Sequence, residues 1–383
     1  MKNQLKDFIY NLNYKFLLKD EILLESVPDY CDNSKGVFDE IIKQKINDKY
    51  KIIWFVEDQN KFKDIKIKNV KFITRNSYFK LRFLYHNLFA KYIVDCNKCI
   101  RKRNKYQFRV YLSHGTPIKI AKEYCKAIGP IDYIIQVSDF FKEINTDLFK
   151  IDSEHVITTG LPRNDLLMDK KIIINDYFPD IKRNKTILWF PTYRSHKNNS
   201  SKNKKSYFPF GLPTINTKRE LVELNAYLKE RAILLLVNFH PAEDTSKMLE
   251  IELSNIKIVD NQIFEKDHSS LYHLLKTVDA YITDYSSTYY DSLLLNIPIG
   301  LAIPDIKIYK KNNGLIFDKY EDGIIGEYIY NFSDLKHFIN NVSAGKDVCK
   351  LERNKAKKIY NKYLDDNSAS RVLEILKEKM RDE

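Results

Sequence analysis

No run of apolar residues in the sequence approaches the roughly 20 that a membrane-spanning helix requires. The longest, such as Ile233 to Val237, have the length of strands. The first twenty positions mix charges with apolar side chains throughout, unlike a secretory signal. Cysteine is sparse, at five in 383 residues, which excludes a disulfide framework. Glycine (10) and proline (11) are equally scarce, so long flexible linkers are not expected. Neither Gly-x-Gly-x-x-Gly nor a P-loop occurs, which sets aside dinucleotide and ATP sites. No Asp-x-Asp triplet follows an expected strand, which weighs against a metal-dependent sugar-nucleotide scheme. Cys96-x-x-Cys99 has no matching second pair, so zinc is not supported, and no metal or cofactor is expected. A cytoplasmic chain follows, with a membrane surface as one place for its charge.

That charge is the first positive feature. Lys plus Arg is 64 and Asp plus Glu is 51, a net of +13. A polyanionic partner suits such a surplus: nucleic acid, anionic lipid or a phosphate-rich substrate. Clusters sit at 98–105, 182–185, 197–205 and 307–311, each equally readable as a solvated surface. Nucleic acid is not expected, because no recognition helix, zinc knuckle or aromatic RNA-binding strand motif is present. Two stretches look amphipathic. Leu5, Phe8, Ile9, Leu12, Phe16 and Leu17 recur at helical spacing among Lys2, Lys6, Lys15 and Lys19. Residues 79–94 carry Leu81, Leu84, Tyr85, Leu88, Phe89 and Tyr92 beside Lys80, Arg82 and Lys91. Either could lie on an anionic membrane; packing on a core is the commoner use of such a face.

At about 150 residues per domain, the length predicts two or three domains. Apolar, β-branched runs at 51–56, 70–74, 108–112, 133–137, 155–158, 186–190, 232–239, 256–259, 280–283 and 298–303 alternate with helical patterns at 139–149, 218–231, 269–277 and 286–295. That alternation predicts an α/β fold of parallel sheets with helices on both faces, in two doubly wound domains. A polar break at 169–184 divides them. The expected domains are 1–180, 181–346 and a helical segment 347–383 packing back on the first. Residues 195–206 read as a mobile loop.

Ligands in such sheets bind beyond the carboxyl ends of strands, so the residues after each strand carry the chemistry. After 108–112 comes Ser113-His114-Gly115-Thr116-Pro117-Ile118-Lys119, which leaves an imidazole at a turn. After 155–158 comes Gly160-Leu161-Pro162-Arg163-Asn164-Asp165, a rigid turn in which Arg163 and Asp165 are expected to pair. After 186–190 comes Pro191-Thr192-Tyr193-Arg194, whose Arg194 offers a planar fork for phosphate or for a surface ion pair. After 232–239 comes His240-Pro241. After 280–283 comes Asp284-Tyr285-Ser286-Ser287-Thr288 and a helix. Hydroxyls and free N–H groups at a helix start make a phosphate cradle, or a plain cap. Asp291 reaches a ribose hydroxyl or is solvated. One such turn is ordinary; five polar turns, each closing a strand, are not.

In order and rough spacing these five motifs resemble the CDP-glycerol:poly(glycerophosphate) glycerophosphotransferases, the teichoic-acid-type primases and polymerases with related capsule polymerases. The resemblance covers roughly 114–300. It implies a GT-B architecture of two Rossmann-like domains facing a cleft with a C-terminal helix crossing back, a CDP-alditol donor, a polymer or lipid-linked acceptor, and an enzyme peripheral on the inner face of the cell membrane. It also implies roles: His114 as general base, His240 beside the donor phosphates, Ser286 and Ser287 with Thr288 as pyrophosphate ligands, Arg194 near the donor, and Asp284 and Asp291 toward nucleotide and ribose. Gly115, Thr116, Lys119, Arg163 and Asp165 would support them. The family usually carries Lys two places before the second His; Asn238 stands there. The alternatives are a CDP-ribitol transferase or a GT-B glycosyltransferase, and, ranked lower, a basic nucleic-acid- or membrane-binding protein without activity.

Overall fold

The computed structural model describes residues 10–12, 14–75, 80–97, 99–168, 178–179, 181, 183–194, 208–240, 242–259 and 270–382. The expectations placed on Leu5, Phe8, Ile9, Pro241 and 195–206 fall outside the described residues. The chain forms two units, one of Met1–Pro117, Ala121–Asp169 and Tyr360–Glu383, the other of Ile118–Ile120 and Lys170–Ile359.

The first unit is built on β1 (Lys19–Glu25), β2 (Lys51–Val56), β3 (Val70–Thr74), β4 (Ala90–Asp95), β5 (Phe108–Tyr111), β6 (Tyr133–Gln136) and β7 (Val156–Thr158). Their order is β3-β2-β1-β4-β5-β6-β7, parallel throughout. The second is built on β8 (Lys185–Trp189), β9 (Ile233–Val237), β10 (Ile256–Ile258), β11 (Ala280–Thr283), β12 (Ile299–Ala302) and β13 (Glu327–Ile329). Their order is β10-β9-β8-β11-β12-β13, again parallel. Each sheet runs outward from its first strand and then reverses. That is the doubly wound order of a Rossmann-like domain, and the reversal leaves a crevice beside the first strand. The two crevices lie at β1/β4 and β8/β11. Strands buried on both faces read as unbroken apolar runs, and Ile233-Leu-Leu-Leu-Val237 is wholly buried.

Strands β1, β4 and β13 were not expected from the sequence. Only Ile22–Leu24 of β1 is apolar, and its charged start is masked by partners from elsewhere in the chain: Asp20 pairs with Lys91 (3.0 Å) and Glu21 with Lys51 (3.1 Å). The stretch 79–94, expected as one helix, is a helix only over Lys80–Phe89 and becomes β4 at Ala90 without a Gly or Pro between. Pairing with β1 and β5 on its two edges overrides the helical period there.

The helix Asp32–Lys43 follows β1 and presents Gly36 to the turn at Pro162. A Cβ on Gly36 would sit 2.8 Å from the Pro162 carbonyl oxygen, so glycine permits this approach. The C-terminal helix Ser368–Arg381 packs on the same helix through buried Ala369, Val372, Leu373 and Leu376. Asp165 caps it, accepting from the Ser368 and Ala369 N–H groups (3.0 and 2.8 Å).

At the first switch point Glu25 and Asp95, the last residues of β1 and β4, are both fully buried. Arg109 grips Asp95 with two bonds (2.9 and 2.7 Å), whereas Glu25 has Arg75 only at 3.4 Å and the Asn97 N–H at 3.3 Å. Burial, and then the charge of Asp95, push the Glu25 carboxyl up to about 7. In the unfolded chain that carboxyl ionises near its usual 4.5, so between the two values folding takes up a proton. Stability therefore falls as pH rises through this window and levels off above it. Urea unfolding of Glu25→Gln against the parent should show the difference shifting in the variant's favour by on the order of 3 kcal/mol across the window. A difference independent of pH would contradict this assignment.

Candidate active site

In the first unit, His114 stands on the turn after β5, with its side chain 56% exposed. Ser113 takes a positive φ of 59° to make the turn, an unusual conformation for a residue with a Cβ. The backbone is held there by side chains from elsewhere. Asn33 donates to the carbonyls of Leu112 and Ser113 (3.3 and 3.0 Å), and Arg163 donates to the carbonyl of His114 (2.8 Å). Ser113 Oγ closes the loop on Gly115, and Thr116 is buried. Arg163 also donates to Asp32 Oδ1 (3.0 Å). The pair expected between Arg163 and Asp165 thus resolves into two different contacts, one bracing His114 and one capping the C-terminal helix. The reason is the fold: the turn lies between the helix Asp32–Lys43 and the C-terminal helix, each of which offers a nearer partner.

His114 Nδ1 lies 3.2 Å from Asn97 Nδ2 and 3.7 Å from Asp32 Oδ2. The Asn97 amide is oriented by the Val27 N–H, which donates to its oxygen (2.8 Å) and turns the NH2 toward the ring. Asp32 and Asn97 were not singled out in the sequence. They follow β1 and β4, the unrecognised strands; the only signal was the Asp-Asn-Ser-Lys-Gly run after a short apolar core.

In the second unit the crevice is closed by Asp284. This fully buried carboxylate accepts from the Thr192 N–H (2.9 Å), the Thr192 hydroxyl (2.5 Å), the Tyr285 N–H (2.5 Å) and Arg194. It is saturated by protein donors, so the nucleotide or ribose contact expected of it is already occupied. Arg194 turns inward likewise. Its guanidinium donates to Asp305 (3.1 and 3.3 Å) and to the Thr192 carbonyl (2.5 Å), and the rings of Tyr285, Phe208 and Tyr309 lie 5.1–5.8 Å from it. Burial opposes its charge, but Asp284 and Asp305 outweigh burial and hold it above the usual arginine range. The fork expected to face phosphate therefore ties the turns after β8 and β12 to that after β11. Asp291 is buried rather than solvated, and the Tyr272 hydroxyl donates to it (2.5 Å).

Tyr193, His240, Ser286, Ser287 and Thr288, by contrast, reach the surface of this unit. His240 Nδ1 accepts from the Ala242 N–H (3.1 Å), which leaves the hydrogen of the neutral ring on Nε2. Tyr193 stacks on that imidazole (centroids 5.5 Å apart, planes at 18°), a partner not expected from the sequence. Ser286 Oγ meets Thr288 Oγ1 at 2.8 Å, and the helix Thr288–Ser292 starts after Ser287, whose side chain makes no cap. Asn238, where the family has Lys, donates to the Val259 carbonyl (2.7 Å) and so joins the ends of β9 and β10. Lys119 belongs to this unit, bridging to Leu315. Burial lowers it from the usual lysine range, with Asp284 opposing and Arg194 reinforcing that shift. Among the described residues no group of three or more His, Cys, Asp or Glu could hold a metal ion.

Removing one charge from a buried ion cluster leaves its partner uncompensated, at about 3–5 kcal/mol. Asp305→Asn should lower unfolding stability by that order in urea titration; a loss below about 1 kcal/mol would mean that Arg194 is not held as described.

The family described as CDP-glycerol:poly(glycerophosphate) glycerophosphotransferase matches residues 8–378. The match takes in the first hundred residues as well as the motif region. The chain is 25% identical over 366 residues to the teichoic acid poly(glycerol phosphate) polymerase of Bacillus spizizenii, covering 85% of this chain and 86% of that one. It is 23% identical over 374 residues to the teichoic acid ribitol-phosphate polymerase TarK of Staphylococcus aureus, covering 92% and 67%. In fold it is similar to the wall teichoic acid polymerase TagF, with a TM-score of 0.74 at 18% identity over 100% of this chain and 94% of that one. Its two Rossmann-like domains are accordingly of GT-B type. The chain belongs to the CDP-glycerol:poly(glycerophosphate) glycerophosphotransferase family.

Proposed function

We propose that this protein moves glycerol phosphate from CDP-glycerol to a hydroxyl of a teichoic-acid-type or capsular polymer, or of its primer, releasing CMP. The observation that carries the reading is the family match along residues 8–378. It makes the chain a CDP-glycerol glycerophosphotransferase and sets aside the alternative of a basic binding protein without activity. The similarity to a ribitol-phosphate polymerase keeps CDP-ribitol as the second reading.

In the proposed reaction the acceptor oxygen attacks the phosphorus that carries glycerol. The new O–P bond forms as the P–O bond to CMP breaks, and the acceptor proton passes to His114 Nε2. For that, Nδ1 must carry a hydrogen. Asp32 Oδ2, at 3.7 Å, is the acceptor for it, and a small ring rotation away from the Asn97 amide would close the bond. His240, through Nε2–H, and the Ser286–Ser287 turn take the charge that gathers on the phosphates. Arg194 acts at one remove, by fixing the turns that present them. The reaction is written without metal or cofactor.

We place the protein on the inner face of the membrane. Phe16 and Leu81 are each 82% exposed. Lys15 and Lys19 flank Phe16 in sequence, Arg82 follows Leu81, and apolar tips among bases suit an anionic surface. Among the described residues no helix is long and apolar enough to cross a membrane. Phe16→Glu with Leu81→Glu should reduce flotation with phosphatidylglycerol vesicles, and undiminished flotation would contradict this placement.

His114→Ala should lower CMP release by about 10²–10⁴-fold with CDP-glycerol affinity by calorimetry little changed. Near-parental turnover would remove the base assignment.

A further inference from the structure

We propose that a basic groove at the edge of the first unit binds the phosphodiester backbone of the acceptor polymer, away from its reacting end. This rests on the transfer reaction proposed above. The groove has a volume of about 870 Å³ and is formed by β3, the loop before it and the helix Lys80–Phe89. Among the described residues five cations line it, Lys63, Lys66, Lys68, Lys71 and Arg82, and no carboxylate does. Lys63, Lys66 and Lys71 are exposed and make no ion pair among the described residues. Lys68 pairs with an exposed Asp48 (2.8 Å), a contact of little strength in water. His86, also at the groove, is turned to Glu21 (2.6 Å).

Lysines on an exposed sheet edge also keep other strands from pairing there. A guard needs charge but no hollow, and it does not require that acids be kept out. Half-buried Ile65, Ile67 and Val70 lie between the bases and offer surface to the carbon segments between phosphates. A repeating anion with short apolar spacers matches that lining.

The position gives the site its meaning. β3 is four strand spacings from β5, the strand that leads to His114. At about 4.8 Å per spacing that is at least ~19 Å sideways across the sheet. A chain seated in the groove therefore presents internal phosphates there. Only an acceptor long enough to span that distance gains from it, so the groove favours long acceptors over short ones and leaves the chemical step alone.

The test combines Lys63→Glu, Lys66→Glu and Lys71→Glu and follows CMP release from CDP-glycerol with a glycerol-phosphate dimer and with a long glycerol-phosphate polymer. The acceptor KM for the long polymer should rise about tenfold, three contacts at about 0.5 kcal/mol each, with kcat unchanged. The KM for the dimer should not move, which also reports an intact fold. The salt dependence of long-polymer binding should flatten, as for any partner held by released counterions. Equal KM changes for both acceptors, or none for either, would overturn the inference. So would loss of phosphatidylglycerol-vesicle binding with polymer affinity kept, because the groove would then be a lipid site. Direct titration of the polymer into both proteins separates the two proposals: groove-dependent binding without CMP release would defeat the transfer reaction and spare the groove.

Discussion

Asp284 holds the switch point of the second unit in shape. A carboxylate buried at the carboxyl end of a parallel strand has to be met by donors, or it is expelled or protonated. Here the donors come from the turn after β8, from its own neighbour Tyr285 and from Arg194. Arg194 in turn needs Asp305, which follows β12. The cluster thus pins three loops at the switch point of the second sheet. Tyr193 and Ser286, each next to a member of the cluster, are left at the surface by the same contacts.

The first unit solves the same problem with the charges reversed in place. Arg163 sits buried between Asp32 and the carbonyl of His114. It holds the His114 carbonyl, while Asn33 holds the carbonyls of Leu112 and Ser113. In both units, then, motif residues divide into two kinds. Several charged ones face inward and set loop geometry; both imidazoles and the Ser286 hydroxyl stand at the surface. Arg163, Asp165, Arg194 and Asp284 belong to the first kind, and His114, His240 and Ser286 to the second.

That division marks where sequence reasoning succeeds and where it stops. The β9 run and the turns after β5, β7, β8, β9 and β11 are legible because a buried parallel strand is continuously apolar and its end is abruptly polar. β1 is illegible because its charged start finds partners in Lys51, Lys91 and His86, all distant in sequence. Asp32 and Asn97 were lost with it and with β4. The direction of Arg194 could not be read at all. Its type suits phosphate, but its two carboxylates lie about ninety and more than a hundred positions away, and only the folded sheet brings them together. Asp165 is similar, since its partners are 203 and 204 residues downstream.

The central claim is that the outward-facing groups serve phosphoryl transfer from a CDP-alditol to a polymer hydroxyl. The direct measurement is CMP release by the purified protein with CDP-glycerol and with CDP-ribitol, each with and without glycerol-phosphate acceptors. Acceptor-dependent release from CDP-glycerol, well above that from CDP-ribitol, is what the account predicts. Release from neither donor with any acceptor would contradict it.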